Sequence, residues 1–135
     1  MVFVCYMEEF TVGILFFVAV LQLCCNQLIG SIPSKLGSLK KLGVLALQHN
    51  QLAGAIPSSL GSIVSLDTLD VSFNNLTGAI PQTLASLRQL IVLNMGSNRL
   101  SGSVPHGNCL IFPTFLFYLL KFTMIMHLLH IKPKI

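Results

Sequence analysis

The chain has 135 residues, 53% of them hydrophobic and 9% charged, with a net charge of +4. That length bounds it to one domain. The positive charge is scattered over Lys35, Lys40, Lys41, Arg88, Arg99 and the tail, so no basic run with interleaved aromatics points to nucleic acid, and Lys40 and Lys41 read as a solvated face.

In chain order, the first segment is 1–25, within which 10–25 is almost unbroken apolar. It suits the hydrophobic part of an export signal or a membrane anchor. Against a signal, Glu8 and Glu9 stand where a basic stretch belongs, and no small-x-small cleavage site follows. A degenerate first repeat is the competing reading, because Leu15, Val18, Leu21 and Leu23 fall at the offsets that later repeats fill with leucine.

Residues 26–106 carry the repeat. Asn26, Asn50, Asn74 and Asn98 are spaced 24 residues apart and open the phrases NQLIGSIP, NQLAGAIP, NNLTGAIP and NRLSGSVP. Around them the unit reads LxxLxxLxLxxNxLxGxIPxxL, with three to four units in register. Such self-similarity marks an array of one small supersecondary unit. Only the L-x-L piece alternates as a strand should, so each unit is predicted to be a short strand, a turn and a looser return segment.

Each column has a physical reason. Leucines at fixed offsets point inward and bury against neighbouring repeats. The asparagine amide has donors and an acceptor for backbone groups that the turn leaves unpaired, so stacked units are expected to build an asparagine ladder from Asn26, Asn50, Asn74 and Asn98. The glycine after it permits a backbone angle that a side chain penalises. The proline fixes one angle and removes a donor where the second extended segment ends.

Four such phrases in register, with wording such as GSLKKLGVLALQHNQLAGAIPSSLGS, resemble the plant-type leucine-rich repeat family and, within it, the ectodomains of receptor-like kinases and receptor-like proteins. The resemblance covers roughly 26 to 105 and is strongest over 36 to 105. It implies an α/β repeat, a right-handed solenoid with short parallel strands on the concave face and an irregular or 3-10 convex side. It also implies an extracellular or plasma-membrane location and recognition of a protein or peptide ligand or a co-receptor. No Gly-rich loop, HRD or DFG sequence is present, so the resemblance extends to the outer domain and not to a kinase.

On the strands, residues between the inward leucines should face the concave side. In register these are Gly43, Val44, Ala46, Gln48 and His49; then Asp67, Thr68, Asp70, Ser72 and Phe73; then Ile91, Val92, Asn94, Gly96 and Ser97. The candidate ligand-binding residues are Asp67, Asp70, Asn94, Gln48, His49 and Phe73. Asp67 and Asp70 are the array's acidic residues and suit a cationic group, and His49 with Phe73 suits a small aromatic patch. The competing reading is that polar side chains there simply keep the sheet soluble. Asn75-Leu76-Thr77 is an N-glycosylation sequon.

The segment 107–135 leaves the register: position 122, where another asparagine is due, holds Phe122. Residues 109–131 are apolar and long enough to span a bilayer, which needs roughly 20 residues. Yet Lys121, His127, His130 and Pro113 interrupt them. The readings are a membrane helix, a helix covering the solenoid's open end, or sequence outside the true gene boundary. Membrane association is thus expected, if anywhere, through 10–25 or 109–131.

Cys5, Cys24, Cys25 and Cys109 show no metal or CxxC spacing and read as unpaired, without the cysteine pairs of the family's caps. His49, His106, His127 and His130 have no acid or nucleophile at a recognisable spacing. No catalytic residue, metal site or cofactor is therefore assigned. The leading functional reading is a non-catalytic recognition module. The alternatives are a small scaffold protein of the same family and a truncated product without receptor function.

Overall fold

The computed structural model describes residues 18–105; the rest of both hydrophobic flanks, including the helices expected there, lies outside the described residues. Two four-stranded parallel sheets run along the array. The first contains β1 (Val20–Gln22), β3 (Val44–Ala46), β5 (Thr68–Asp70) and β7 (Val92–Asn94). Its register is one repeat per strand: Leu21 opposes Leu45, Leu45 opposes Leu69, and Leu69 opposes Leu93. The second contains β2 (Ile29–Gly30), β4 (Gln51–Gly54), β6 (Asn75–Ala79) and β8 (Arg99–Ser101). The looser return segment is thus itself a sheet, followed by a helical turn.

The turns are 3-10 helices at Ser34–Ser38, Ser58–Ser62 and Gln82–Ser86. Pro33, Pro57 and Pro81 precede them with φ of -66, -66 and -64, the angle that the ring imposes. The next residues are thereby steered out of the second sheet and into the return turn.

Between the sheets and the 3-10 layer lies a core in which Leu36, Leu39, Leu42, Leu45, Leu47 and Leu52 are all 0% exposed. At roughly 1.5–3 kcal/mol per fully buried side chain, these columns are the main cohesive term. Toward the C-terminal end of the described residues Leu93, Met95 and Leu100 are only partly buried, although their counterparts one repeat earlier, Leu69, Val71 and Leu76, are 0% exposed.

β1 lies within the apolar N-terminal segment. Leu21 is buried there, and Val18 and Leu23 pack against the core, so the repeat register extends upstream of Asn26 as far as residue 18.

On the helical side, successive repeats approach too closely for side chains. A Cβ on Gly37 would lie 2.4 Å from the Ser59 carbonyl oxygen, and one on Gly61 would lie 2.4 Å from the Thr83 carbonyl oxygen. Hydroxyls bridge the same layer, with Ser59 Oγ donating to Ser34 O and Thr83 Oγ1 to Ser58 O, both at 2.7 Å. Lys40 is exposed, but it is not merely solvated. Its ammonium donates to Gly37 O at 3.0 Å and Ser62 O at 2.8 Å, joining the C-terminal ends of two 3-10 helices.

Candidate functional site

The face of the first sheet is built column by column, because a strand sends alternate side chains to opposite sides. With Leu21, Leu45 and Leu69 buried, the residues beside them face outward: Val20, Val44, Thr68 and Val92 in one column, and Gln22, Ala46, Asp70 and Asn94 in the next. Val20 is 53% exposed, and Val92 and its neighbour Ile91 are 39% and 57% exposed. The face is therefore largely apolar at its entry edge.

The two carboxylates differ. Asp70 Oδ1 accepts from the Ser72 amide at 3.0 Å and the Ser72 hydroxyl at 2.6 Å, and its Oδ2 accepts from Asn94 Nδ2 at 3.2 Å. Asn94 Oδ1 in turn accepts from the Gly96 amide at 3.3 Å. Asp70 and Asn94 are thus brought together, each occupied in holding the turn that follows its strand. Asp67 is half-buried beside the bare backbone of Gly43, where an added Cβ would lie 3.5 Å from Asp67 Oδ2. Its side chain makes no hydrogen bond among the described residues. Gln48 is half-buried, and its Oε1 is shielded from solvent without a hydrogen-bond partner among them.

His49 and Phe73 stand one repeat apart at the far rim, stacked with ring centroids 4.3 Å apart and planes 9° from parallel. Phe73 is 51% exposed. Their column has an unusual backbone: Cys25, His49, Phe73 and Ser97 all have positive φ, from 52 to 59. Left-handed backbone costs a non-glycine residue roughly 1–2 kcal/mol. Here it is imposed by the turn, with Cys25 N donating to Gln48 O, His49 N to Ser72 O and Phe73 N to Gly96 O. Of these residue types only histidine is enriched in that conformation, and Cys25, Phe73 and Ser97 do not repeat the signal, so sequence reasoning does not find it.

Behind the rim run the asparagines. Asn50, Asn74 and Asn98 each use Nδ2 to reach a carbonyl of the preceding repeat, Leu23 O at 2.9 Å, Leu47 O at 3.0 Å and Val71 O at 2.9 Å. Each Oδ1 accepts an amide of the same preceding repeat, from Leu28, Leu52 and Leu76, at 3.0 Å. Among the described residues, Asn26 bonds Leu23 O and Cys24 O of its own turn. Asn75, beside Asn74, is exposed and opens β6 on the second sheet.

Cys24 and Cys25 are free thiols. A hydrogen bond with Cys24, then burial and the Cys24 charge, pushes the Cys25 thiol above its ordinary value. Among the described residues, no group of three or more His, Cys, Asp or Glu is placed to hold a metal ion, and no helix is long and apolar enough to cross a membrane.

Residues 18–76 match the leucine rich repeat family model. No curated protein matches the chain. Three solved structures show the range of its likenesses. The BIR3–SERK2 complex from Arabidopsis thaliana contains a chain 41% identical, with a TM-score of 0.61, covering 62% of this chain and 45% of that one. The Arabidopsis receptor kinase HAESA ectodomain, solved with a peptide hormone ligand, is 38% identical at a TM-score of 0.63, covering 64% of this chain and 15% of that one. A plant ice-binding protein is 36% identical at a TM-score of 0.66, covering 70% of this chain and 31% of that one. The chain spans less than half the length of each.

Proposed function

From the premise that residues 18–105 form a leucine-rich repeat solenoid similar to plant receptor ectodomains, we propose that the chain is a non-catalytic recognition module. It binds an extended peptide or a partner protein on the face of its first sheet, outside the cell or at the plasma membrane. The likeness to HAESA, whose structure holds a peptide hormone, and to the BIR3–SERK2 pair supports a peptide ligand and a co-receptor as the two classes of partner.

The observation that carries the reading is the composition of the outward columns. Ile91 and Val92 leave apolar surface uncovered at the β7 edge of the sheet face and Val20 at its β1 edge, while Asp67, beside Gly43, keeps a carboxylate with no hydrogen-bond partner among the described residues. An exposed apolar patch edged by polar groups is the usual mark of an interaction surface. The stacked His49–Phe73 pair closes the face at its other rim. Such a face suits a peptide carrying a basic side chain next to apolar ones.

The test is panning of a displayed library of linear peptides against the immobilised full chain. Enriched peptides should combine a basic residue with apolar neighbours and should lose at least tenfold in affinity on Asp67→Ala, about 1.4 kcal/mol. Enrichment of nothing, or of peptides that bind the Asp67→Ala, Val92→Ser double variant equally well, would overturn the assignment.

A further inference from the structure

We propose that Asn75 is an N-glycan attachment site and that the first sugar of that glycan packs on the uncovered part of the Phe73 ring. Of the chain's asparagines, only Asn75 begins an Asn-x-Thr triplet. The structure separates it sharply from its neighbour. Asn74 spends its amide on Leu47 O, Val71 O and Ser72 O while its Oδ1 accepts from the Leu52 amide. Asn75 makes no side-chain hydrogen bond among the described residues and is exposed. Thr77, two positions on in β6, is exposed on the same side, with Leu76 between them 0% exposed and anchored inward. In the second sheet Asn75 stands opposite the small Ala53, and Thr77 opposite the exposed Arg99.

Phe73 stands two residues before Asn75. One face of its ring is covered by His49, but the next residue in that column is Ser97, whose small side chain leaves the opposite face open. The backbone that carries the ring is held by Phe73 N donating to Gly96 O at 3.0 Å and Asn74 N to Ser97 O at 3.2 Å, and the ring itself by its stack on His49. The C–H face of a pyranose carries slight positive charge, and the face of an aromatic ring is negative, so the two attract while apolar area leaves water. The glycan thus covers the part of the half-exposed Phe73 ring that the His49 stack leaves open.

The transfer balances as an amide alkylation. A C–N bond forms between Asn75 Nδ2 and the anomeric carbon of an oligosaccharide, the bond from that carbon to a lipid-linked pyrophosphate breaks, the lipid pyrophosphate leaves, and Nδ2 gives up one proton. The donor is a lipid-pyrophosphate oligosaccharide. The proposal rests on the extracellular placement above only for its occurrence in the cell.

The experiment supplies the compartment: the full chain is led into a plant secretory host behind a cleaved export signal. The secreted chain should carry one glycan, removed by a glycan-releasing amidase and absent from Asn75→Gln and Thr77→Ala. A secreted chain without it overturns the site, whereas failed peptide panning overturns the strand-face reading instead. For the packing, Phe73→Ala should lower the thermal midpoint more in the glycosylated chain than in the Asn75→Gln background, and proton contacts between the Phe73 ring and the first sugar should appear by NMR. Equal midpoint losses without those contacts overturn the packing.

Discussion

The Asp70 carboxylate is bonded to Asn94 across one repeat, with Asn94 Nδ2 donating to Asp70 Oδ2 at 3.2 Å while Asp70 Oδ1 holds Ser72, which is only 2% exposed. The array's two acidic residues are therefore differently engaged, Asp70 being tied to Ser72 and Asn94 while Asp67 makes no side-chain hydrogen bond among the described residues. Asp70→Ala strands the buried Ser72 hydroxyl and should cost about 1–3 kcal/mol of stability. Asp67→Ala should leave the denaturant midpoint within about 0.5 kcal/mol, as surface substitutions do, while lowering peptide affinity. Chemical denaturation of both variants beside a binding titration separates the two roles.

The asparagines should rank by position. Asn74→Ala removes bonds to two repeats and leaves the Leu52 amide and Leu47 carbonyl without their partner. Each buried group so orphaned costs about 1–3 kcal/mol. Asn26→Ala loses, among the described residues, local bonds at an exposed site and should cost about 1 kcal/mol or less. Equal losses in guanidinium unfolding would refute the inter-repeat account.

Glycines should divide by mechanism. Gly61→Ala drives a methyl into the Thr83 carbonyl and should cost about 1–3 kcal/mol or more by overpacking. Gly78→Ala has room, its Cβ lying 3.4 Å from Ala55 Cβ, but its φ of +80 penalises any side chain by about 1–2 kcal/mol. Gly43→Ala, with neither obstacle, should be close to neutral. Thermal unfolding of the three variants gives the order.

These glycines also show what the sequence could disclose. The 24-residue period, the inward leucines and the turn glycine at Gly30, Gly54, Gly78 and Gly102, all with φ near +80 to +88, follow from repeated chemistry that a reader can align. The second sheet does not, because its strands are two to five residues long and include the turn glycines. Nor does the close approach at Gly37 and Gly61, which arises only when one repeat meets the next. The strand-face residues were legible as a surface, but the commitment of Asp70 and Asn94 to each other was not, since it joins side chains 24 positions apart.

The left-handed column offers a stabilising change. Ser97 has φ 54, is exposed and stacks on nothing described, so Ser97→Gly should raise stability by up to about 1 kcal/mol by relieving backbone strain. Phe73→Gly relieves the same strain but loses the ring stack with His49 and should gain less. A rise in melting temperature for Ser97→Gly exceeding that for Phe73→Gly checks the pair.

Cys25 should be a sluggish nucleophile. Its thiol is raised by the Cys24 hydrogen bond first, and only the thiolate attacks. A raised value keeps Cys25 protonated at pH where an ordinary cysteine has begun to ionise, so its alkylation should rise only at higher pH. Cys24→Ser should alter that profile. Mass-spectrometric mapping of iodoacetamide labelling at Cys25 across a pH series reads both effects.

The asparagine bonds all point one way. Asn98 satisfies Val71 O and Leu76 N, lying 27 and 22 residues before it, and Asn74 does the same for Leu47 and Leu52. A repeat is therefore completed by its successor. On a ribosome this imposes a direction: a newly emerged turn has its leucines, but its inner amide and carbonyl wait for the next asparagine to be synthesised. The nascent array consolidates one repeat behind the growing end, and its most recent turn is always the unfinished one.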